Sequence, residues 1–165
     1  MIYYIFGEFD LALENSELAL SWEGGSIGLT SFSEQNFLHS LSCLSSKKLP
    51  IETVQKNQER MKVWAENCPA NYGHKYYIVE AELARINGKT EDALEFYDKA
   101  IKLAKEHEYL LEEAIANELA AKYWLGESKE MFANEHLTEA HYAYKKWGCK
   151  PKVEMMEKEY PFLKP

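Results

Sequence analysis

The feature that most constrains the fold is a spacing of small residues that occurs three times along the chain. Each copy has a small residue, an alanine five positions later and a second alanine seven positions after the first. The copies are Gly7 with Ala12 and Ala19, Gly88 with Ala93 and Ala100, and Ser128 with Ala133 and Ala140. Alanines seven positions apart lie on one face of a helix and let another helix approach closely. The spacing therefore predicts, in each copy, a helix that packs back through its alanines on the helix before it.

The interval between the copies predicts a repeat array. The copies at Gly88 and Ser128 begin 40 positions apart, and those at Gly7 and Gly88 begin 81 apart, nearly two such intervals. A fixed period in this range is typical of helical repeat proteins, in which each hairpin completes its core only against its neighbours. The small residue is expected in the turn between two helices, where glycine accepts a positive φ. We therefore expect an all-α fold, a right-handed solenoid of helix hairpins with a C-terminal capping helix.

Hydrophobic periodicity and turn residues place the helices along this array. They predict hairpins at approximately 1–22, 33–67, 72–106 and 109–147, and a capping helix at 151–160, within a single domain over 1–165. Thr90 is expected to cap the helix that follows Gly88. Gly24, Gly25 and Gly28 are expected to break the chain after the first hairpin.

Composition and charge exclude several classes of function. A net charge of -8 disfavours sequence-independent binding of nucleic acid, which needs clustered lysine and arginine. Cys43, Cys68 and Cys149 are far apart and odd in number, which favours reduced thiols in the cytoplasm. The apolar stretch before Gly7 is too short for a signal peptide or a membrane span. We therefore expect a cytoplasmic protein that binds neither nucleic acid nor membranes.

One segment resembles a tetratricopeptide repeat. That family has a small residue in the first helix, glycine at the turn, and alanine, an aromatic residue and a second alanine in the second helix. The matching residues, in order, are Ala81, Gly88, Ala93, Tyr97 and Ala100. In the next copy Ser128 replaces the turn glycine and Leu137 replaces the aromatic residue. The interval of 40 is longer than the usual 34, so the resemblance implies a tetratricopeptide-like variant.

A longer resemblance covers roughly residues 50–163. The segments NQERMKVWAENCPANYGHKY (57–76), AIANELAAKY (114–123) and EAHYAYKKWGCKPKV (139–153) resemble the helical region of large bacterial multi-sensor signalling kinases. Those proteins join a serine/threonine-kinase-like domain, a predicted ATPase, this helical region, a GAF domain and a histidine kinase. The resemblance implies a scaffold or a signal-coupling arm. The chain has no Walker A motif, kinase loop or histidine-kinase box, so none of the family's catalytic functions is carried over.

The reactive side chains do not form a convincing catalytic or metal site. His136 and His141 are five positions apart and point about 140° apart around a helix, so they do not converge on a metal. His39, beside Leu38 and Leu41, is better interpreted as a buried, hydrogen-bonded histidine than as a phosphoacceptor. Cys68 has no oriented histidine or aspartate partner that would make it a nucleophile. We therefore predict no enzymatic activity, no cofactor and no metal.

The remaining candidate for function is the inner face of the array, lined by the first helices of the hairpins. By helical phase, the residues expected to line this groove are Lys75, Ile78, Glu82, Arg85, Glu118 and Lys122. The leading hypothesis is a non-catalytic scaffold for protein–protein interaction or signal coupling, with a protein partner or flanking domains of the same polypeptide. Two alternatives remain: a fragment or regulatory arm of an ATPase/sensor kinase polypeptide, and a helical sensor that binds a small molecule. The apolar residues before Gly7 also suggest a homodimer formed through residues 1–22.

Overall fold

The computed structural model describes residues 1–21 and 30–164, and this part of the chain is helical with no strand. The helices are α1 (Ile2–Ile5), α2 (Phe9–Leu20), α3 (Thr30–Ser45), α4 (Ile51–Asn67), α5 (Pro69–Ile86), α6 (Thr90–Glu106), α7 (Leu110–Gly126), α8 (Glu130–Trp147) and α9 (Lys150–Glu159), followed by a short 3-10 turn at Pro161–Leu163. The all-α prediction is confirmed, including a C-terminal helix, α9, that packs on α8. The predicted break at Gly24, Gly25 and Gly28 lies outside the described residues.

The chain divides into two compact units, Met1–Val79 and Glu80–Pro165, with the division inside α5. In the first unit α3 packs against both α2 and α4. In the second unit α7 packs against both α6 and α8 and is the most buried helix of that unit. Its small side chains, among them Ala116 and Ala120, make this possible because they let the neighbouring helices come close.

One turn geometry recurs at the ends of five helices. In each turn one residue has a positive φ, and the N–H of the next residue donates to the carbonyl five positions back at 2.8 to 3.1 Å. The positive-φ residues are Gly7, Gly88, Glu108, Ser128 and Gly148. This pattern satisfies helix-end carbonyls and reverses the chain within two or three residues. The predicted turn positions of Gly7, Gly88 and Ser128 are therefore confirmed.

The last four of these turns are 20 positions apart, so the structural unit is one helix with its turn. Two such units make the interval of 40 seen in the sequence. The break between the predicted hairpins 72–106 and 109–147 is confirmed, but the left-handed conformation of Glu108 within it was not expected, because a glutamate gives no sign of it.

Two local predictions were wrong. Thr90 is the first residue of α6 and not its cap. Lys89 holds the cap position, without a side-chain cap bond, because a lysine ammonium cannot accept a hydrogen bond. The chain begins α5 at Pro69 and not near Tyr72, since proline fits the first helical position, where no N–H partner is required. Cys68 alone separates α4 from α5.

The alanines are buried in two of the three copies, as close packing against another helix requires. Ala93, Ala100, Ala133 and Ala140 are fully buried. In the first copy Ala12 is buried but Ala19 is exposed, so the prediction was wrong at that position. In the described part of the chain no residue packs over Ala19 at this end of α2.

Candidate interaction surface and buried polar clusters

The six residues predicted to line a groove differ widely in exposure. Three are buried: Lys75, Ile78 and Glu82. Glu118 is half-buried, and Arg85 and Lys122 are exposed. Lys75 and Ile78 belong to the first unit and the other four to the second. A common groove for these side chains remains a prediction.

Glu82 is a buried carboxylate held by two side chains of the second unit. The Arg85 guanidinium donates to it in a two-pronged arrangement, with Nη2 at 2.8 Å and Nε at 3.1 Å. The hydroxyl of Tyr97, on α6, donates to the same carboxylate. The bonds that Arg85 donates to Glu82 raise the pKa of Arg85 above its already high value, so the guanidinium stays charged. The predicted groove residue Glu82 therefore joins α5 to α6, and Arg85 binds Glu82 from within α5.

Glu118 repeats this arrangement in the next hairpin. Its carboxylate accepts bonds from the Tyr144 hydroxyl on α8 at 2.8 Å and from Lys152 on α9 at 2.9 Å. Lys122, one turn further along α7, lies 3.0 Å away. Burial alone would raise the pKa of Glu118, but the two ammonium groups outweigh it and lower that pKa. In both hairpins a carboxylate on the first helix thus joins a tyrosine on the second helix to a cation.

Lys75 is in the interior of the first unit, with only 1% of its surface exposed. Its ammonium lies 2.9 Å from the carboxylate of Glu34 on α3 and 3.0 Å from Nε2 of His74. A buried ammonium is tolerated when it is paired and hydrogen-bonded in this way. Lys75 therefore connects α5 to α3.

His39 forms a cluster with Cys43 and Asn57 that resembles a cysteine-protease triad in composition only. The Asn57 amide nitrogen lies 3.0 Å from Nδ1 of His39, and Cys43 Sγ lies 3.6 Å from Nε2. An amide NH₂ can only donate, so Nδ1 accepts and Nε2 carries the proton toward the sulfur, the reverse of what a general base needs. Burial raises the pKa of the Cys43 thiol to about 12. This geometry supports a buried, hydrogen-bonded His39, as predicted.

The two histidines that were considered as metal ligands in the sequence, His136 and His141, have separate hydrogen-bond partners. His136 Nδ1 lies 2.9 Å from Oδ1 of Asn117, and His141 Nε2 lies 2.9 Å from the Glu157 carboxylate. Across residues 1–21 and 30–164 no group of three or more ligand side chains could hold a metal ion. No helix of these residues is both long enough and apolar enough to cross a membrane.

Sequence reasoning placed Glu82 and Glu118 on the first helices but missed the tyrosines that bind them. The signal was weak. It consists of a glutamate followed three or four positions later by a cation, with a tyrosine on the next helix. Lys152, on the capping helix, gave no local signal, because its role depends on a carboxylate 34 positions away.

Repeated helix hairpins that pack through alanines and share one turn geometry are typical of the class of helical repeat proteins. The family model described as "CHK1-like, TPR repeats" matches residues 37–161, and the chain belongs to this family of tetratricopeptide repeats. A segment of 61 residues is 38% identical to the hybrid signal transduction histidine kinase G of Dictyostelium discoideum. It covers 37% of this chain and only 2% of that kinase. No solved structure matches the chain significantly.

Proposed function

We propose that this chain is a non-catalytic module for protein–protein interaction within a signalling protein or complex. The observation that carries the proposal is the match of residues 37–161 to a tetratricopeptide repeat family, because stacked hairpins of this kind offer extended binding surfaces. The buried polar clusters support it, since their charged groups are engaged in joining helices. A single domain over 1–165 in the cytoplasm is part of the same proposal.

A second candidate is supported by the similarity to a histidine kinase. In that case the chain is a regulatory arm of a longer sensor-kinase polypeptide, as the resemblance to bacterial multi-sensor kinases also implies. The sequence of the complete gene separates the two. Flanking kinase, ATPase or GAF segments favour the regulatory arm, and a short gene without them contradicts it.

Pull-down from a lysate of its source with the purified intact chain, followed by mass spectrometry, tests the interaction hypothesis. We expect one or a few proteins, or flanking domains, to be recovered with the native chain and not with a heat-unfolded control. Recovery of the same proteins with both forms would contradict the hypothesis.

The predicted groove can then be tested with the recovered partner. Charge reversal at Arg85 or Lys122 is unsuitable, because it places a carboxylate beside the buried Glu82 or Glu118. Arg85→Gln and Lys122→Gln remove a positive charge without adding a negative one. Lys56→Gln on α4 makes the same change and is the control. We expect weaker partner binding for the first two at unchanged helicity, and equal affinity for all three would contradict the groove.

Self-association through residues 1–22 is a separate proposal. Its support is the exposed apolar side chains of α1 and α2: Ile2, Tyr3, Leu11 and Leu18. Light scattering should show a dimer that the double variant Ile2→Ser, Leu18→Ser converts to a monomer. A monomeric wild-type chain at high concentration would contradict the dimer.

A further inference from the structure

An apolar patch lies at the turn between α7 and α8. We call it the turn patch, and it consists of Trp124, Leu125, Met131 and Phe132. Met131 is 75% exposed and Phe132 is 44% exposed, which is unusual for large apolar side chains close together. The ring of Phe132 stacks on that of Trp124, with centroids 5.0 Å apart and planes inclined by 29°. The stack holds two flat aromatic rings together, and the exposed Met131 precedes Phe132 in the first turn of α8.

Folding of the turn does not require these side chains. The preceding hairpin makes the same turn at Gly88, with the same hydrogen bonds. At the four equivalent positions, 40 residues earlier, it carries small or charged side chains: Ala84, Arg85, Glu91 and Asp92. The apolar residues of the turn patch are therefore particular to the α7–α8 turn, and their exposure has no role in its geometry.

Carboxylates lie close to the turn patch in the sequence. Glu127, Glu130 and Glu135 are exposed on the turn and on the first turns of α8. Within the described part of the chain, Glu127 and Glu130 make no ion pair. Lys129 is the single cation between 123 and 139, and the whole chain has a net charge of -8. An apolar centre with an acidic rim is complementary to a partner that has apolar side chains flanked by lysine or arginine.

We propose that the turn patch docks a basic amphipathic segment of a partner protein, with aliphatic side chains against Met131 and Phe132 and cations near Glu127 and Glu130. The inference rests on the proposed interaction function and names one surface and one kind of partner for it. A second copy of this chain would bring another acidic rim to the same place. Anionic lipid and nucleic acid are repelled for the same reason.

A synthetic peptide tests this recognition directly. The probe is a fluorescent amphipathic helix of about five turns, with lysine on one face and leucine on the other. Its analogue carries glutamate in place of lysine. Anisotropy is measured with the full chain at about 0.15 M salt, where weak long-range attraction is screened. We expect the lysine peptide to bind and the glutamate analogue not to bind.

Matched variants separate the turn patch from general attraction to an acidic protein. Met131→Ser and the double variant Met131→Ser, Phe132→Ser should weaken binding about tenfold, as truncation of central contacts does. Glu130→Lys should weaken it as well. The controls are Val63→Ser, which removes a 55% exposed valine on α4, and Glu59→Lys, which makes the same charge change at an exposed site. The controls should leave the affinity unchanged.

Several outcomes would overturn the proposal. They are failure of the lysine peptide to bind, equal binding of both peptides, and equal weakening by patch and control variants. Circular dichroism checks that each variant folds, and Met131→Ser remains informative if loss of Phe132 disturbs the stack. A wild-type dimer that Met131→Ser dissociates would make the turn patch a self-interface and also overturn it.

Binding of the captured protein partner to the wild-type chain and to the patch variants distinguishes failure of this inference from failure of the proposed function. If the intact chain binds a partner and the patch variants bind it equally well, only the turn patch is wrong. If the native chain captures no partner, the interaction function itself is wrong.

Discussion

Two glutamates on α7, Glu113 and Glu118, are both shielded from water by burial, but their charged neighbours differ. Glu118 faces the ammonium groups of Lys122 and Lys152, and its pKa is lowered. Among the described residues Glu113 has no comparable bonded cation, and burial raises its pKa, opposed by Lys105 and assisted by the carboxylate of Glu139. The same residue type on the same helix therefore has opposite effects on stability.

We expect Glu118→Gln to lower the free energy of unfolding at pH 7 by about 3 kcal/mol, because the buried ammonium of Lys152 loses its counterion. The contribution of Glu118 should be complete above the unfolded pKa, about 4.3, and should disappear as the pH falls through its lower folded pKa. Urea unfolding of wild type and variant between neutral and acid pH measures this. A constant difference across that range would contradict the assignment.

Glu113→Gln should do the opposite and raise the free energy of unfolding at pH 7. A carboxyl group with a raised folded pKa opposes folding when it is ionised, and this penalty disappears as the pH falls. The gain should therefore be present at pH 7 and vanish in acid. Loss of stability in Glu113→Gln at pH 7 would show that its charge has a favourable partner.

Ser128 provides a test of the turn geometry. Its φ of 56° is left-handed, a region that costs a non-glycine residue about 1 kcal/mol. We expect Ser128→Gly to stabilise the chain by about this amount and Gly88→Ser to destabilise it similarly. A Cβ added at Gly88 meets nothing within 4 Å, so the effect there comes from the backbone alone. Opposite signs in thermal unfolding of the two variants would confirm the prediction, and equal signs would contradict it.

The elements show which information the sequence contains locally. Alanine spacing and turn glycines were enough to predict the α5–α6 and α7–α8 hairpins and the period of 40. The 20-residue unit was missed because its additional turn has Glu108 at the left-handed position, and charged residues there give no pattern. The start of α5 was misplaced because proline gives the same local signal just after a helix end as at a helix start, and Pro69 is the first residue of α5.

The burial of each alanine on the second helices predicts how strongly a larger side chain there lowers the stability of the fold. Ala100 and Ala140 are fully buried, so Ala100→Leu and Ala140→Leu should destabilise the fold by about 1 to 3 kcal/mol through overpacking. Ala19→Leu should have little effect, because Ala19 is exposed. Denaturant midpoints of the three variants measure this order. Similar losses at all three sites would contradict the different packing of the first copy.

At the scale of the whole molecule, function was harder to predict than fold. Helical phase identifies which residues share a face, but burial depends on what another helix places opposite. Lys75 was predicted to line a groove but is buried and pairs with Glu34 of α3, and Glu118 depends on Lys152 of α9. Such pairings join distant parts of the chain, and a single sequence contains no local signal for them.

The prediction of a single domain can be tested through α5, which continues from the first unit into the second. In its first half the carbonyl of Tyr76 accepts a bond from Gln58 on α4, and in its second half Glu82 binds Tyr97 on α6. Unfolding of one half removes hydrogen-bonded turns that support the other half, because helix formation is cooperative. We therefore expect both units to unfold in one transition.

Two variants that each retain one tryptophan report on the units separately, one with Trp64 on α4 and the other with Trp124 on α7. Their fluorescence midpoints in urea should coincide with each other and with circular dichroism of the same samples, as two-state unfolding requires. The control is each variant's midpoint by circular dichroism against wild type, which corrects for any effect of the substitutions. Two separated midpoints would instead mean that α5 connects two independently folding domains, and the single-domain prediction would be wrong.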